Sequence, residues 1–124
     1  MALILVDTCI IVDHLRNRAE ATAFLKQLDQ LPLVSVLTLA ELQAGVRNRS
    51  DERVLDRLMA GWPVVALDAP TARLGGSWRR RFGSSHGTGI IDAMLAATAE
   101  QACARLATVN RKHFPMFDDL LVPY

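Results

Sequence analysis

At 124 residues, 51% of them hydrophobic, the chain is sized for one domain with a real core and leaves no room for a second, so residues 1–124 are expected to form a single unit. Its net charge of +1 excludes the strongly basic proteins that hold nucleic acid by bulk electrostatics, although twelve of the fourteen basic residues are Arg, the better bidentate phosphate ligand. Two cysteines, Cys9 and Cys103, lack C-x-x-C or Cys/His spacing, which argues against a zinc site. Both are expected as small core residues from a reducing compartment.

The segment from Met1 to Val12 is apolar but carries Asp7 and no basic leader, so it reads as a buried strand, Leu3 to Val6, running into a helix. Phe24, Leu25, Leu28 and Leu31 mark an amphipathic helix. The apolar run Leu33 to Val36 predicts a second strand, followed by a helix carrying Glu41. Val54, Leu55, Leu58 and Met59 mark another helix, started by Ser50 with acids behind it and stopped near Gly61. Strands are expected at Val64 to Leu67 and Leu106 to Val109, with helices from about 70 to 82 and 89 to 103 between them. Short apolar runs between helical stretches are the pattern of buried parallel strands. The order β-α-α-β-α-α-β-α-α-β predicts an α/β fold, a sandwich around a mostly parallel sheet.

Between the last two helices lies Gly83-Ser84-Ser85-His86-Gly87-Thr88-Gly89, expected as a mobile rim; its glycines do not follow a strand, so a dinucleotide fingerprint is absent. Arg73, Arg79, Arg80 and Arg81 surround Trp78 on the preceding helix. They read as a solvated face with Trp78 in the core, or as a phosphate-binding strip. No apolar stretch approaches the roughly 20 residues of a membrane span, which makes the cytoplasm the expected location.

Three acids stand in settings hostile to an isolated charge. Asp7 follows Leu3-Ile4-Leu5-Val6, Glu41 sits within Leu39-Ala40-Glu41-Leu42, and Asp92 interrupts Ile90-Ile91-Asp92-Ala93-Met94-Leu95. A buried carboxylate needs a partner, and no basic residue adjoins any of the three, so a shared hard cation, Mg²⁺ or Mn²⁺, is the expected partner. Singly, each acid has a plain structural reading: Asp7-Thr8 as a helix cap, Asp92 favouring a helix N-terminus, Thr38-x-x-Glu41 as a capping box. Ligands of open parallel sheets bind beyond the carboxyl ends of the strands, and all three acids are expected at that edge. Thr108 and Asn110, at the end of the last strand, bring neutral oxygens to the same place, and Thr8 is a further supporting hydroxyl. Asp13 reads as part of a solvated helix turn, or as an accessory acid near the site, Asp118 and Asp119 read as exposed turn acids, and His14, His86 and His113 share no ligand spacing.

The runs Ile4-Leu5-Val6-Asp7-Thr8, Ser35-x-x-Thr38-Leu39-Ala40-Glu41-Leu42-x-x-Gly45, Ile91-Asp92-Ala93-Met94-Leu95-Ala96-Ala97-Thr98-Ala99 and Leu106-Ala107-Thr108-Val109-Asn110-Arg111-Lys112-His113-Phe114 span nearly the whole chain. In their order and spacing they resemble the PIN-domain ribonucleases, and more closely the VapC-type toxins of bacterial toxin–antitoxin pairs. The resemblance implies a three-layer α/β/α sandwich, Mg²⁺ or Mn²⁺ held by acids, and endonucleolytic cleavage of RNA leaving 5′-phosphate and 3′-hydroxyl ends. It places Asp7, Glu41 and Asp92 on the core acids, and it implies a homodimer and a small antitoxin partner. A fourth acid common near the final strand is here Asn110, a neutral oxygen, which weakens the case for a second tightly held metal. A phosphatase of the haloacid-dehalogenase type would need a second acid at position 9, which is Cys9, and a receiver domain would need an acidic pair after the first strand. A catalytically inactive RNA- or protein-binding module on the same fold is a third reading, opposed by the intact trio.

Overall fold

The computed structural model describes residues 3–124. The elements follow the expected order: β1 (Leu3–Val6), α1 (Thr8–Leu15), α2 (Ala19–Gln27), β2 (Val34–Ser35), α3 (Val36–Ala44), α4 (Arg49–Met59), β3 (Val64–Val65), α5 (Ala69–His86), α6 (Ile90–Gln101) and β4 (Ala104–Ala107), then a 3₁₀ turn at Arg111–His113. β1 pairs in parallel with β4, placing Val6 opposite Ala107, and β2 pairs in parallel with β3. A parallel bridge between Leu5 and Leu33 joins the pairs, with the Val6 N–H donating to Leu33 O at 3.1 Å. The strands therefore lie in the order β3-β2-β1-β4, and a bridge from Ala107 to Leu121 continues the sheet beyond β4.

Strand alternation sends neighbouring side chains to opposite faces, and each face is covered by its own helices. Val6, Val34 and Ala107 enter a core with Ile10, Ile11, Phe24, Leu42 and Leu55 from α1 to α4. Leu5 and Leu106 enter a second core with Ala96 and Ala99 of α6 and with Phe114, against which Trp78 of α5 packs. The result is the expected three-layer α/β/α arrangement around a parallel sheet. Among the described residues no helix is long and apolar enough to cross a membrane.

Several boundaries differ from the sequence reading. The strands expected at Leu33–Val36 and Val64–Leu67 shrink to two residues each, because Val36 already belongs to α3 and Val64, 47% exposed, lies on the sheet edge. The last strand runs Ala104–Ala107, two residues earlier than expected. Leu31 is 53% exposed beyond the end of α2 and does not extend its apolar stripe. Helix α4 is capped by Asn48, whose side chain accepts from the Asp51 N–H, and not by Ser50. The segment read as a mobile rim is helical through His86, and α5 stops only where Gly87 takes a left-handed φ of 65°. Cys103 is exposed, with a left-handed φ of 52°, so only Cys9 of the two cysteines is partly buried.

Helices α5 and α6 meet at Gly75, where an added Cβ would stand 3.0 Å from Met94 Cα and Cγ and 3.3 Å from the Ala93 carbonyl. Gly76, one residue on, faces open space. Gly75→Ala should therefore cost about 1–3 kcal/mol of overpacking, less the helix propensity that Ala gains. Gly76→Ala gains that propensity alone and should raise the melting temperature. Equal melting shifts for the two variants would mean that the helices part freely at this contact.

Candidate active site

Strand β1 carries Asp7 to the carboxyl edge of the sheet, where the chain turns into α1 with Asp7 at the N-cap position (φ −67°, ψ 148°). The side chain makes no capping bond. Its Oδ2 instead accepts hydrogen bonds from Thr108 Oγ1 at 2.7 Å and from the Cys9 thiol at 3.4 Å. Asp7 is 4% exposed, and among the described residues no Lys, Arg or His pairs with it. Burial pushes its carboxyl pKa above the ordinary aspartate value, the Thr108 and Cys9 hydrogen bonds oppose that, and the charge of Asp92 adds to it. Burial and the adjacent Asp7 push the Cys9 thiol up to about 12, so it stays protonated and serves as a donor.

Thr108 follows β4 directly and is fully buried. Its hydroxyl also accepts the backbone N–H of Asn110 at 3.0 Å, which turns the chain sharply at the strand end. The Asn110 side chain itself is exposed and makes no hydrogen bond among the described residues.

Glu41 reaches the same edge from α3. The cap of that helix is Ser35, accepting from the Leu37 N–H at 3.1 Å, so Thr38-x-x-Glu41 lies inside the helix and is not a capping box. Glu41 stands in the second turn of α3. Its Oε1 accepts from Thr8 Oγ1 at 2.7 Å, and Thr8 Oγ1 lies 3.0 Å from Thr38 Oγ1. Thr8 thus ties an exposed carboxylate to the residue next to Asp7.

Asp92 occupies the first turn of α6, as expected, close enough to Asp7 for their charges to repel. Its Oδ2 lies 3.2 Å from His113 Nδ1, a contact that the sequence reading missed. Spacing gave no signal for it, because the histidine arrives on the 3₁₀ turn after β4.

The other candidates have structural roles. Asp13 accepts from Tyr124 Oη at 2.7 Å, with the Arg18 guanidinium 3.7 Å away and stacked over the Tyr124 ring, so it fastens the C-terminal segment and is not a free helix-turn acid. Asp118 and Asp119 are exposed. His14 bonds Thr22 and His86 bonds its neighbour Ser85. Arg73, Arg79, Arg80 and Arg81 are exposed, and Trp78 packs edge-on against Phe117 at 5.9 Å, the arrangement of a solvated face with its aromatic turned inward.

Among the described residues no three His, Cys, Asp or Glu side chains close into a compact metal cage. The donor chemistry nonetheless suits a hard cation: Asp7 is a buried carboxylate without a cationic partner among the described residues, and a second carboxylate repels it. Asp7 and Asp92 form the inner pair, and Glu41 stands apart on the Thr8 hydroxyl.

The PIN domain model aligns with residues 4–119, and the chain belongs to that family. It is 42% identical to Ribonuclease VapC19 of Mycobacterium tuberculosis over 126 residues, covering 97% of this chain and 98% of that protein. In solved structures its fold recurs in a toxin-antitoxin complex from Klebsiella pneumoniae (TM-score 0.85, 23% identity, 98% of both chains). It recurs again in VapBC-1 from nontypeable Haemophilus influenzae (TM-score 0.75, 26% identity, 95% and 94% of the two chains).

Proposed function

We propose that this chain is an endoribonuclease dependent on Mg²⁺ or Mn²⁺, the toxin of a toxin–antitoxin pair. The observation that carries the reading is Asp7, 4% exposed, opposed by Asp92 and without a cationic partner of its own among the described residues. Such a pair is costly unless an ion offsets it. Similarity to a protein named as a ribonuclease supplies the substrate class.

Asp7 and Asp92 would hold the ion, with Thr108 and Cys9 fixing the Asp7 carboxylate by their bonds to Oδ2. When bound, Mg²⁺ or Mn²⁺ supplies Lewis acidity for a phosphodiester oxygen and for the attacking water. Glu41, exposed and bonded to the Thr8 hydroxyl, would serve as the general base at the edge of the site. Attack of water on phosphorus that breaks the P–O3′ bond, with O3′ taking up a proton as it leaves, would give 5′-phosphate and 3′-hydroxyl ends.

A cleft of about 510 Å³ lies between α1, α3 and α4, bordered by Glu41 and floored by Leu15, Leu42, Val54 and Leu55. An antitoxin segment laid in it would reach the edge of the site, and the likeness to a chain of a toxin-antitoxin complex supports such a partner. A homodimer and a cytoplasmic location complete the proposal.

Incubating the purified chain with single-stranded RNA in Mg²⁺, in Mn²⁺ and in EDTA tests the reading. Cleavage with either ion and none in EDTA is the expected result. Intact RNA under all three conditions would refute the nuclease assignment.

A further inference from the structure

Thr38-x-x-Glu41 has the spacing of a capping box but lies inside α3, beyond the cap at Ser35. Its threonine is fully buried, and a buried hydroxyl needs a partner. Within a helix the usual partner is the carbonyl one turn back, as for Thr98, which donates to Met94 O at 2.7 Å. Among the described residues Thr38 makes no such bond, and its Oγ1 instead accepts from Thr8 Oγ1 at 3.0 Å, across the gap between α3 and α1. The same Thr8 hydroxyl donates to Glu41 Oε1 at 2.7 Å. One proton thus faces two acceptors, and the shorter bond, to the carboxylate, is the stronger. Three residues apart on one helix, Thr38 and Glu41 project from the same face, and Thr8 bridges their side chains.

We infer that Thr8 and Thr38 are positioning residues for Glu41. The inference rests on the nuclease reading above, in which Glu41 is the general base. Glu41 is exposed at the end of a side chain with several torsions, so without an anchor its carboxylate would sample many places. Thr8 is that anchor. It opens α1 directly after Asp7, whose carboxylate Thr108 holds at 2.7 Å, so a single peptide unit ties the hydroxyl that Glu41 accepts from to the Asp7 side of the site. Thr38, β-branched and fully enclosed, keeps the Thr8 hydroxyl turned toward α3. A general base works only within hydrogen-bond reach of the proton that it removes, so a carboxylate kept in one place gains rate. The anchor is a hydroxyl and does not titrate.

The test is single-turnover cleavage of a short RNA by the full chain in saturating Mn²⁺, beside metal-free crystal structures of the same variants, with thermal unfolding in EDTA to establish that each is folded. Thr8→Val keeps the shape and removes the donor. It should lower the rate at saturating RNA by about tenfold, part of what general base catalysis contributes, and leave the RNA concentration for half-maximal rate unchanged. In its metal-free crystals the Glu41 side chain should leave the rotamer that it holds beside Thr8. Thr8→Ser should keep both rate and rotamer, and Thr38→Val should give a smaller loss than Thr8→Val. If Thr8→Val does not fold, Thr8→Ala carries the same expectation. An undiminished rate in Thr8→Val, beside cleavage by the unsubstituted chain, would overturn the positioning role alone. Equal losses in the Val and Ser variants with Glu41 unmoved would show a packing role and overturn it as well. Absence of cleavage by the unsubstituted chain would overturn both this inference and the nuclease reading.

Discussion

Asp7→Asn is expected to fold normally and to lose RNA cleavage by on the order of 10²–10³-fold, the scale seen when one electrostatic element of a preorganised site is removed. The substitution conserves shape and can still accept the Thr108 hydroxyl, so the loss would report charge and not packing. Glu41→Gln and Asp92→Asn should lose activity in the same assay. Stability should move the other way. The folded Asp7 carboxyl holds its proton to higher pH than the unfolded one, because burial disfavours the charged form. Its contribution to stability is therefore fully present below the unfolded value and is lost as pH rises through the raised folded value. Asn carries no proton to lose, so the metal-free variant should melt at or above the unsubstituted chain at neutral pH, with a flatter dependence across that window. Full activity in Asp7→Asn at physiological Mg²⁺ would remove Asp7 from the site.

Adding Mn²⁺ or Mg²⁺ should raise the melting temperature of the unsubstituted chain. A ligand bound only by the folded state stabilises it by about 2.7 kcal/mol at a hundred times its dissociation constant, or roughly 10 °C for a domain of this size. Most of the rise should disappear in Asp7→Asn, where the repulsion with Asp92 is already relieved. Identical metal titrations for the two proteins, followed by differential scanning calorimetry, would leave the carboxylates without a shared ion.

The order of strands and helices was legible because β1 and β4 are buried on both faces and α2 and α4 carry apolar stripes, signals that depend only on local sequence. The extents of β2 and β3 were not. A two-residue ladder is fixed by the strand beside it, and Val36 could continue a strand or open a helix. Helix α5 overran its predicted end because Gly83 is tolerated there, with the Arg79 guanidinium folded over its missing side chain. In the site, Asp7 and Asp92 were visible as charges within apolar runs. Thr38-x-x-Glu41 misled, since a degenerate capping pattern lay one turn beyond the real cap at Ser35. His113 was invisible because its partner lies on α6, and only the turn after β4 brings them together.

The hydrogen bond from Thr108 to Asp7 joins residues 101 positions apart. Asp7 precedes Thr108, so an emerging chain carries the aspartate long before it carries the strand that holds it. Pairings this distant close late, after the entropy of the long intervening loop has been overcome. The growing polypeptide therefore lacks the bond that holds Asp7 until β4 pairs with β1. As the proposed ribonuclease, the chain would complete its site only once β4 has been made.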